Sequence, residues 1–173
     1  MEKKNIFNII IGALVGIALI VSLGFTIYQK IDQKNKAYSY DKMLKVYNSI
    51  TYNEKMNLYL FYGDGCPHCA KEDAFFESIS SQYGDKYNLV KFETWYNENN
   101  KKLKEYVVDK LVEDGYIVLD EVNTLESYHK AVPLLIIGNK SFLGYSNQMD
   151  DAIINAIEEQ NKEYDIMKKL DLK

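Results

Sequence analysis

Met56-Asn57-Leu58-Tyr59-Leu60-Phe61-Tyr62-Gly63-Asp64-Gly65-Cys66-Pro67-His68-Cys69 is the segment from which the rest of the chain is read. Met56–Tyr62 is a continuous apolar run of strand length, and Gly63-Asp64-Gly65 is a turn. A helix is predicted from about Pro67 to Tyr83, with Phe75, Phe76 and Ile79 on one face and Gly84 as its stop. Proline suits the first helical position, because its missing N–H would find no partner there. Cys66 thus stands immediately before a helix start, where free backbone N–H groups and the positive end of the dipole favour thiolate over thiol. Cys69 lies nearly one turn further in, within bonding reach of Cys66. It is expected to be more buried, less acidic and the second of the pair to act.

Cys66 and Cys69 are the only cysteines in 173 residues. A structural disulfide framework would need more of them, widely spaced, and closing so short a loop gains little entropy. The pair is present for reactivity or for metal. The chain is 47% apolar and 27% charged, which suits one ordinary folded domain with an appendage. Its basic residues are all lysine, so the usual tool for bidentate phosphate or carboxylate recognition is missing. Abundant Asn, Ile and Tyr beside that lysine point to an AT-rich genome. Net charge is −4, and −5 once the first 28 residues, with two lysines and one glutamate, are set aside. Such a domain repels nucleic acid and anionic lipid, and neither is expected as a ligand.

Asn5 to Gln29 carries no charge, and Ile9–Tyr28 supplies 20 mostly apolar positions. At about 1.5 Å per residue these cross a hydrocarbon core of about 30 Å. A cleaved signal peptide shares the Lys3-Lys4 start, but its apolar region is about 7–15 residues long and ends in small residues. This run is longer and ends Phe25-Thr26-Ile27-Tyr28-Gln29. No cysteine follows it directly, which excludes a lipoprotein start, and a buried helix is set aside because every face is apolar. The organisation read from the sequence is a short cytoplasmic tail over 1–8, a transmembrane anchor over 9–28, a polar, lysine-rich juxtamembrane linker over 29–37 and one domain over 38–173. Lys3 and Lys4 precede the span while Lys30, Lys34 and Lys36 follow it, so the charge count leaves the orientation open.

Within the domain, Tyr40, Met43, Leu44, Tyr47 and Ile50 recur at helical spacing. A second strand is predicted over Asn88–Trp95 and a helix over Asn99–Asp114, with Leu103, Tyr106, Val107, Lys110 and Leu111 along one side. A short helical segment follows around Val122–Lys130. Leu134–Ile137 and Ser141–Tyr145 read as strands joined by Gly138-Asn139-Lys140, a hairpin signal. A last helix begins near Gln148, with Asp150 and Asp151 in its first turn and Lys168-Lys169 in its last, as the dipole prefers.

A strand, a turn, Cys-x-x-Cys and a helix in this order resemble the thioredoxin superfamily, over roughly Met56–Glu158. The resemblance implies an α/β thioredoxin-like fold: a central mixed β-sheet flanked by helices, with a helical insertion before a cis-proline, here preceded by one transmembrane helix. Pro133, the only proline besides Pro67, matches that cis-proline, and the resemblance places the Val132 backbone beside Cys66 to pair with an extended substrate. The Pro67-His68 dipeptide is similar to that of the DsbA family of extracytoplasmic thiol oxidases. It implies that His68, on the first helical turn, can donate to or carry charge near the Cys66 thiolate and makes the disulfide a stronger oxidant.

The resulting expectation is a thiol–disulfide oxidoreductase with Cys66, Cys69, His68 and Pro67 as catalytic residues and Val132 and Pro133 as substrate-binding residues. It needs no cofactor beyond a redox-active Cys66–Cys69 disulfide and no metal. Its partners are protein thiols and a membrane redox protein that recycles the pair. The expected setting is a bacterial cell membrane, crossed once, with the domain outside. Oxidase or isomerase action is favoured over a reductant or an accessory oxidoreductase for one exported peptide. From another class, thiol-based copper delivery is the rival, whereas a zinc site would need four ligands and only His68 and His129 could add nitrogen.

Some features depart from that family's pattern. Sixty-six residues separate Cys66 from Pro133, more than a minimal domain needs. Many relatives carry a buried carboxylate six residues before the first cysteine, where this chain has Leu60. Glu72 and Asp64 are the nearest substitutes, and both read as solvated. Gly144-Tyr145 stands where glutaredoxins commonly have two glycines, which argues against glutathione. His129 reads as a surface histidine, Trp95 as core packing, and Lys101-Lys102 and Lys168-Lys169 as solvated helix faces.

Overall fold

The computed structural model describes the backbone of residues 2–159 and 162–170, and the side chains within them except those of 2–13, 32–40, 42 and 43. Lys3, Lys4, Lys34, Lys36, Tyr40 and Met43 therefore lie outside the described side chains. The chain divides into two compact units, Met1–Asp41 and Lys42–Lys173. Helix α1 runs Glu2–Asn48, so the lysine-rich stretch 29–37 is helical and does not interrupt it. Its window Leu14–Ile31, with mean hydropathy 1.7, is long and apolar enough to cross a membrane.

The second unit is built on a four-stranded sheet in the order β2-β1-β3-β4. Strand β1 (Met56–Tyr62) pairs in parallel with β2 (Tyr87–Glu93) and antiparallel with β3 (Leu134–Ile137), which pairs antiparallel with β4 (Lys140–Leu143). A parallel pair needs a crossover, and α2 (Pro67–Tyr83) supplies it between β1 and β2. Helices α3 (Glu98–Glu113) and α4 (Leu125–Lys130) fill the connection from β2 to β3, and α5 (Asp150–Glu159) and α6 (Ile166–Lys169) follow the sheet. This is a thioredoxin-like α/β fold.

Strand β1 is apolar throughout because both faces of the sheet are covered. Leu58 and Leu60 point into a core with Phe75 and Phe76 of α2, Leu135 and Ile137 of β3, and Ile153 and Ile157 of α5. Tyr59 and Phe61 alternate to the opposite face, where both stack on Phe92 of β2. Leu103, Val107, Val108 and Leu111 make the buried side of α3.

The chain after β4 differs from the single long helix expected. A 3-10 turn at Asn147–Met149 leads into α5, which ends at Glu159, and Lys168-Lys169 belong to the separate helix α6. Asp165 caps α6 by accepting from the Met167 N–H and also accepts from the Tyr59 hydroxyl at 2.8 Å. Ile166 and Met167 are buried beside it. Two apolar pairs on different faces of the sheet cannot be served by one straight helix, so the chain breaks between them.

Candidate active site

Cys66 ends the turn after β1 and is the N-cap of α2. Its sulfur accepts the Cys69 N–H at 3.3 Å, the capping bond that Ser or Asp would otherwise make. Pro67 occupies the first helical position. Both cysteines are thiols here and both are buried, Cys66 at 5% exposure and Cys69 at 3%, so exposure alone does not separate them as the sequence reading expected. Bonding and surroundings do. Burial pushes the Cys69 thiol up to about 12, and its bond to Cys66 and the charges of Cys66 and Glu72 add to this, while a bond from the Gly63 backbone opposes it.

Across from the cysteines runs the segment Ala131-Val132-Pro133. The Val132–Pro133 peptide bond is cis. The Cys66 thiol donates to the Val132 carbonyl at a long 3.9 Å, within sulfur range. The segment before β3 that carries Val132 and the helix start that carries Cys66 therefore face one another.

His68 is exposed, and its ring is held from the other side. Nδ1–H donates to the Tyr145 carbonyl at 3.1 Å, which fixes the tautomer. That nitrogen is directed at Tyr145 and not at Cys66. Tyr145 is itself buried, its hydroxyl donating to Asp150 at 2.7 Å and its ring lying against Phe75.

Glu72 is not solvated. It is fully buried, and neither carboxylate oxygen has a hydrogen-bond partner. Burial pushes its carboxyl up to about 8, with Asp73 adding to the rise and Lys91 opposing it. It stands one helical turn beyond Cys69 and acts electrostatically on that thiol. Asp64, the other carboxylate considered, is exposed, and Leu60 is wholly buried in β1.

Lys104 of α3 was missed by the sequence reading. It is 1% exposed, and its Nζ donates to the Ala131 carbonyl, next to Val132. Burial pushes the ammonium down to about 8, while the charges of Cys69 and Glu105 oppose that fall. A signal was present in both cases. Glu72 is in helical phase with Cys69 and Phe76, and Lys104 with Val107, Val108 and Leu111.

Trp95 is not core. It lies past the end of β2, 47% exposed, with its indole against the Gly63 backbone, so that a Cβ at Gly63 would collide with the ring. The Glu93 carboxylate holds this corner by accepting the Trp95 N–H at 2.8 Å, the Tyr96 N–H at 3.0 Å and, weakly, the Asp64 N–H at 3.5 Å. Trp95 opens a groove of about 700 Å³ shared with Lys101, Leu125 and His129. His129 is half-buried rather than a free surface group, paired with Asp109 at 2.8 Å.

The cysteine pair thus sits at the start of the helix that follows a central strand of the mixed sheet, with the cis Val132–Pro133 bond just before the neighbouring strand. No family model and no curated protein matches this chain. Among solved structures, the glutaredoxin of Archaeoglobus fulgidus is 19% identical, the match covering 62% of this chain and 90% of that one at a TM-score of 0.38. Proteus mirabilis ScsC in a compact conformation is 17% identical, covering 76% and 94% at 0.39.

Proposed function

We propose that this chain is a membrane-tethered thiol–disulfide oxidoreductase that acts on protein thiols outside the cytoplasm, as an oxidase or isomerase. The observation that carries the reading is the Cys66 sulfur at the N-cap of α2, bonded to the Cys69 N–H at 3.3 Å and facing the Val132 carbonyl. In the oxidised enzyme a substrate thiolate attacks the Cys66 sulfur. The Cys66–Cys69 bond breaks, its electron pair leaves on Cys69, and a mixed disulfide forms between substrate and Cys66. A second substrate thiolate then attacks the substrate sulfur of that mixed disulfide and releases Cys66. The substrate has lost two electrons and two thiol protons, and the cysteine pair has gained them.

The proton needed by the departing Cys69 is supplied in this reading by Glu72, whose buried carboxyl holds its proton at neutral pH. The oxidising direction is supported by His68 between the cysteines, and membrane tethering by the apolar window Leu14–Ile31. Reoxidation then falls to a membrane redox partner that accepts the two electrons.

Trapping tests the assignment. A Cys69→Ala variant of the full chain, expressed in cells, should accumulate reductant-sensitive mixed disulfides through Cys66. Absence of any such adduct, with Cys66 still open to alkylation, would refute it. Stoichiometric tight copper binding without dithiol turnover would move the protein to metal delivery.

A further inference from the structure

Lys104 has no part in the chemistry described above, yet it is among the most thoroughly buried large side chains of the molecule. A buried lysine is expensive because its ammonium loses hydration, and such residues persist where the charge is used. Its head group is fixed by the bond to the Ala131 carbonyl, one residue before Val132. From that position it interacts electrostatically with Cys69.

Resting on the reading of Cys66 and Cys69 as a redox pair, we infer that Lys104 is the charge-setting residue for Cys69: fixed on the Ala131 carbonyl, its ammonium stabilises the thiolate that Cys69 becomes when the disulfide is opened.

The electrostatics of Lys104 support this. A charged Cys69 sulfur raises the affinity of Lys104 for its proton. The same interaction energy, taken from the cysteine's side, favours thiolate over thiol. Without such a charge Cys69 would be a poor leaving group, since burial disfavours its ionised form. When a substrate thiolate attacks Cys66, the electron pair of the Cys66–Cys69 bond collects on Cys69, its charge is offset by Lys104, and the Glu72 proton then neutralises it.

Other charged groups around α3 are engaged elsewhere. Glu105 on the same helix acts on Lys104 directly. On α4, packed against α3, His129 pairs with Asp109 and Lys130 with Glu126. On β2, Lys91 pairs with Asp73 and Glu93 holds the Trp95 corner. At the start of α6, Asp165 accepts from Tyr59. Lys104 is a buried cation, held on the Ala131 carbonyl, on which the Cys69 charge acts.

The test uses the full chain in detergent micelles with Cys66→Ser, which keeps the helix cap and isolates Cys69. The rate of Cys69 alkylation by iodoacetamide is measured from pH 6 to 10 with Lys104, Lys104→Gln and Lys104→Met. Gln keeps a donor for Ala131 and loses the charge, while Met loses both. Both variants should alkylate about tenfold more slowly than the Lys104 protein below pH 8, which corresponds to about one unit in the Cys69 pKa. The difference should shrink above pH 9 as Lys104 itself loses its proton. Equal rates with Lys and Gln, or a deficit in Met that is the same at every pH, would reduce Lys104 to a structural pin and overturn the inference. This readout does not depend on turnover. A normal Lys104 effect in a protein that forms no mixed disulfides would sink the proposed function while leaving the Lys104–Cys69 coupling measured.

Discussion

Replacing Glu72 by Gln should remove most of the pH dependence of stability between pH 5.5 and pH 8. In the unfolded chain this carboxyl titrates near 4.5, and in the folded protein near 8, because both oxygens are buried without a hydrogen-bond donor. The folded state thus keeps a proton that the unfolded state gives up, and stability falls as pH rises across that interval. The penalty is absent below 4.5 and fully developed above about 8. A shift of this size is worth about 5 kcal/mol in all, of which about 3 kcal/mol develops between pH 5.5 and pH 8. Lys104 works in the other direction and higher up. Its folded-state affinity for protons is lowered from 10.5 to about 8, so the stability it withholds returns as pH rises between those values. Measurements kept at or below pH 8 therefore report chiefly on Glu72.

Urea unfolding of the reduced full chain in detergent, followed through the single tryptophan, Trp95, measures the effect directly. Wild type should lose about 3 kcal/mol from pH 5.5 to 8, while Glu72→Gln should be nearly flat. Gln is not expected to be more stable at pH 5.5, since its amide enters the same site without partners and costs about 1–3 kcal/mol there. Glu72→Leu, which fills the site with carbon, should be flat as well and more stable than Gln. A wild type already flat over this range, or a Gln variant with an undiminished slope, would show that water reaches the carboxylate and would refute its role as a proton store for Cys69.

The reduction potential of the full chain, equilibrated with glutathione buffers, should lie nearer the roughly −120 mV of a strong thiol oxidase than the roughly −270 mV of thioredoxin, and His68→Pro should move it toward the latter. A potential indifferent to His68 would remove the argument for oxidation. Gly63→Ala should displace the Trp95 indole and red-shift its emission, because the new methyl group collides with the ring; an unchanged spectrum would contradict the packing of that corner. Protease added to cells stripped of their wall should digest the domain while the membrane stays intact, and protection until lysis would place the cysteine pair on the wrong side for an exported-protein oxidase.

The strand, turn and helix around Cys66 were legible because three independent signals coincide there. A two-sided buried strand reads as an uninterrupted apolar run, glycines mark the turn, and proline marks the first helical position. Agreement broke down where the tertiary structure assigns faces that spacing alone does not record. Ile153 and Ile157 pack on the α2 side of the sheet, whereas Ile166 and Met167 follow the Asp165 cap held by Tyr59. Ile166 lies nine residues beyond Ile157, half a turn out of phase on a straight helix, and the Asp165 cap starts a second helix that buries it. Trp95 was misread for a related reason: an aromatic residue at a strand end usually packs inward, but here Glu93 turns the backbone over the edge.

Glu72 and Lys104 show where the hydrophobic pattern itself held more than was taken from it. Most charged residues are solvated, and on α3 the apolar stripe of Leu103, Val107 and Leu111 masks the charge at Lys104. Yet a helix puts residues three, four and seven apart on one side, so Lys104 cannot avoid the stripe formed by Val107, Val108 and Leu111. Glu72 is bound to Cys69 and Phe76 in the same way. A lone charge in phase with an apolar stripe must either break the stripe or be buried with it, and burial without a neutralising partner displaces its proton affinity toward the neutral form. Opposite displacements follow for an acid and a base, and both bring the group toward neutral pH: up to about 8 for Glu72 and down to about 8 for Lys104. A Glu72 that still holds its proton at neutral pH can give it to a Cys69 thiolate, whereas a surface carboxyl titrating near 4 has already lost it.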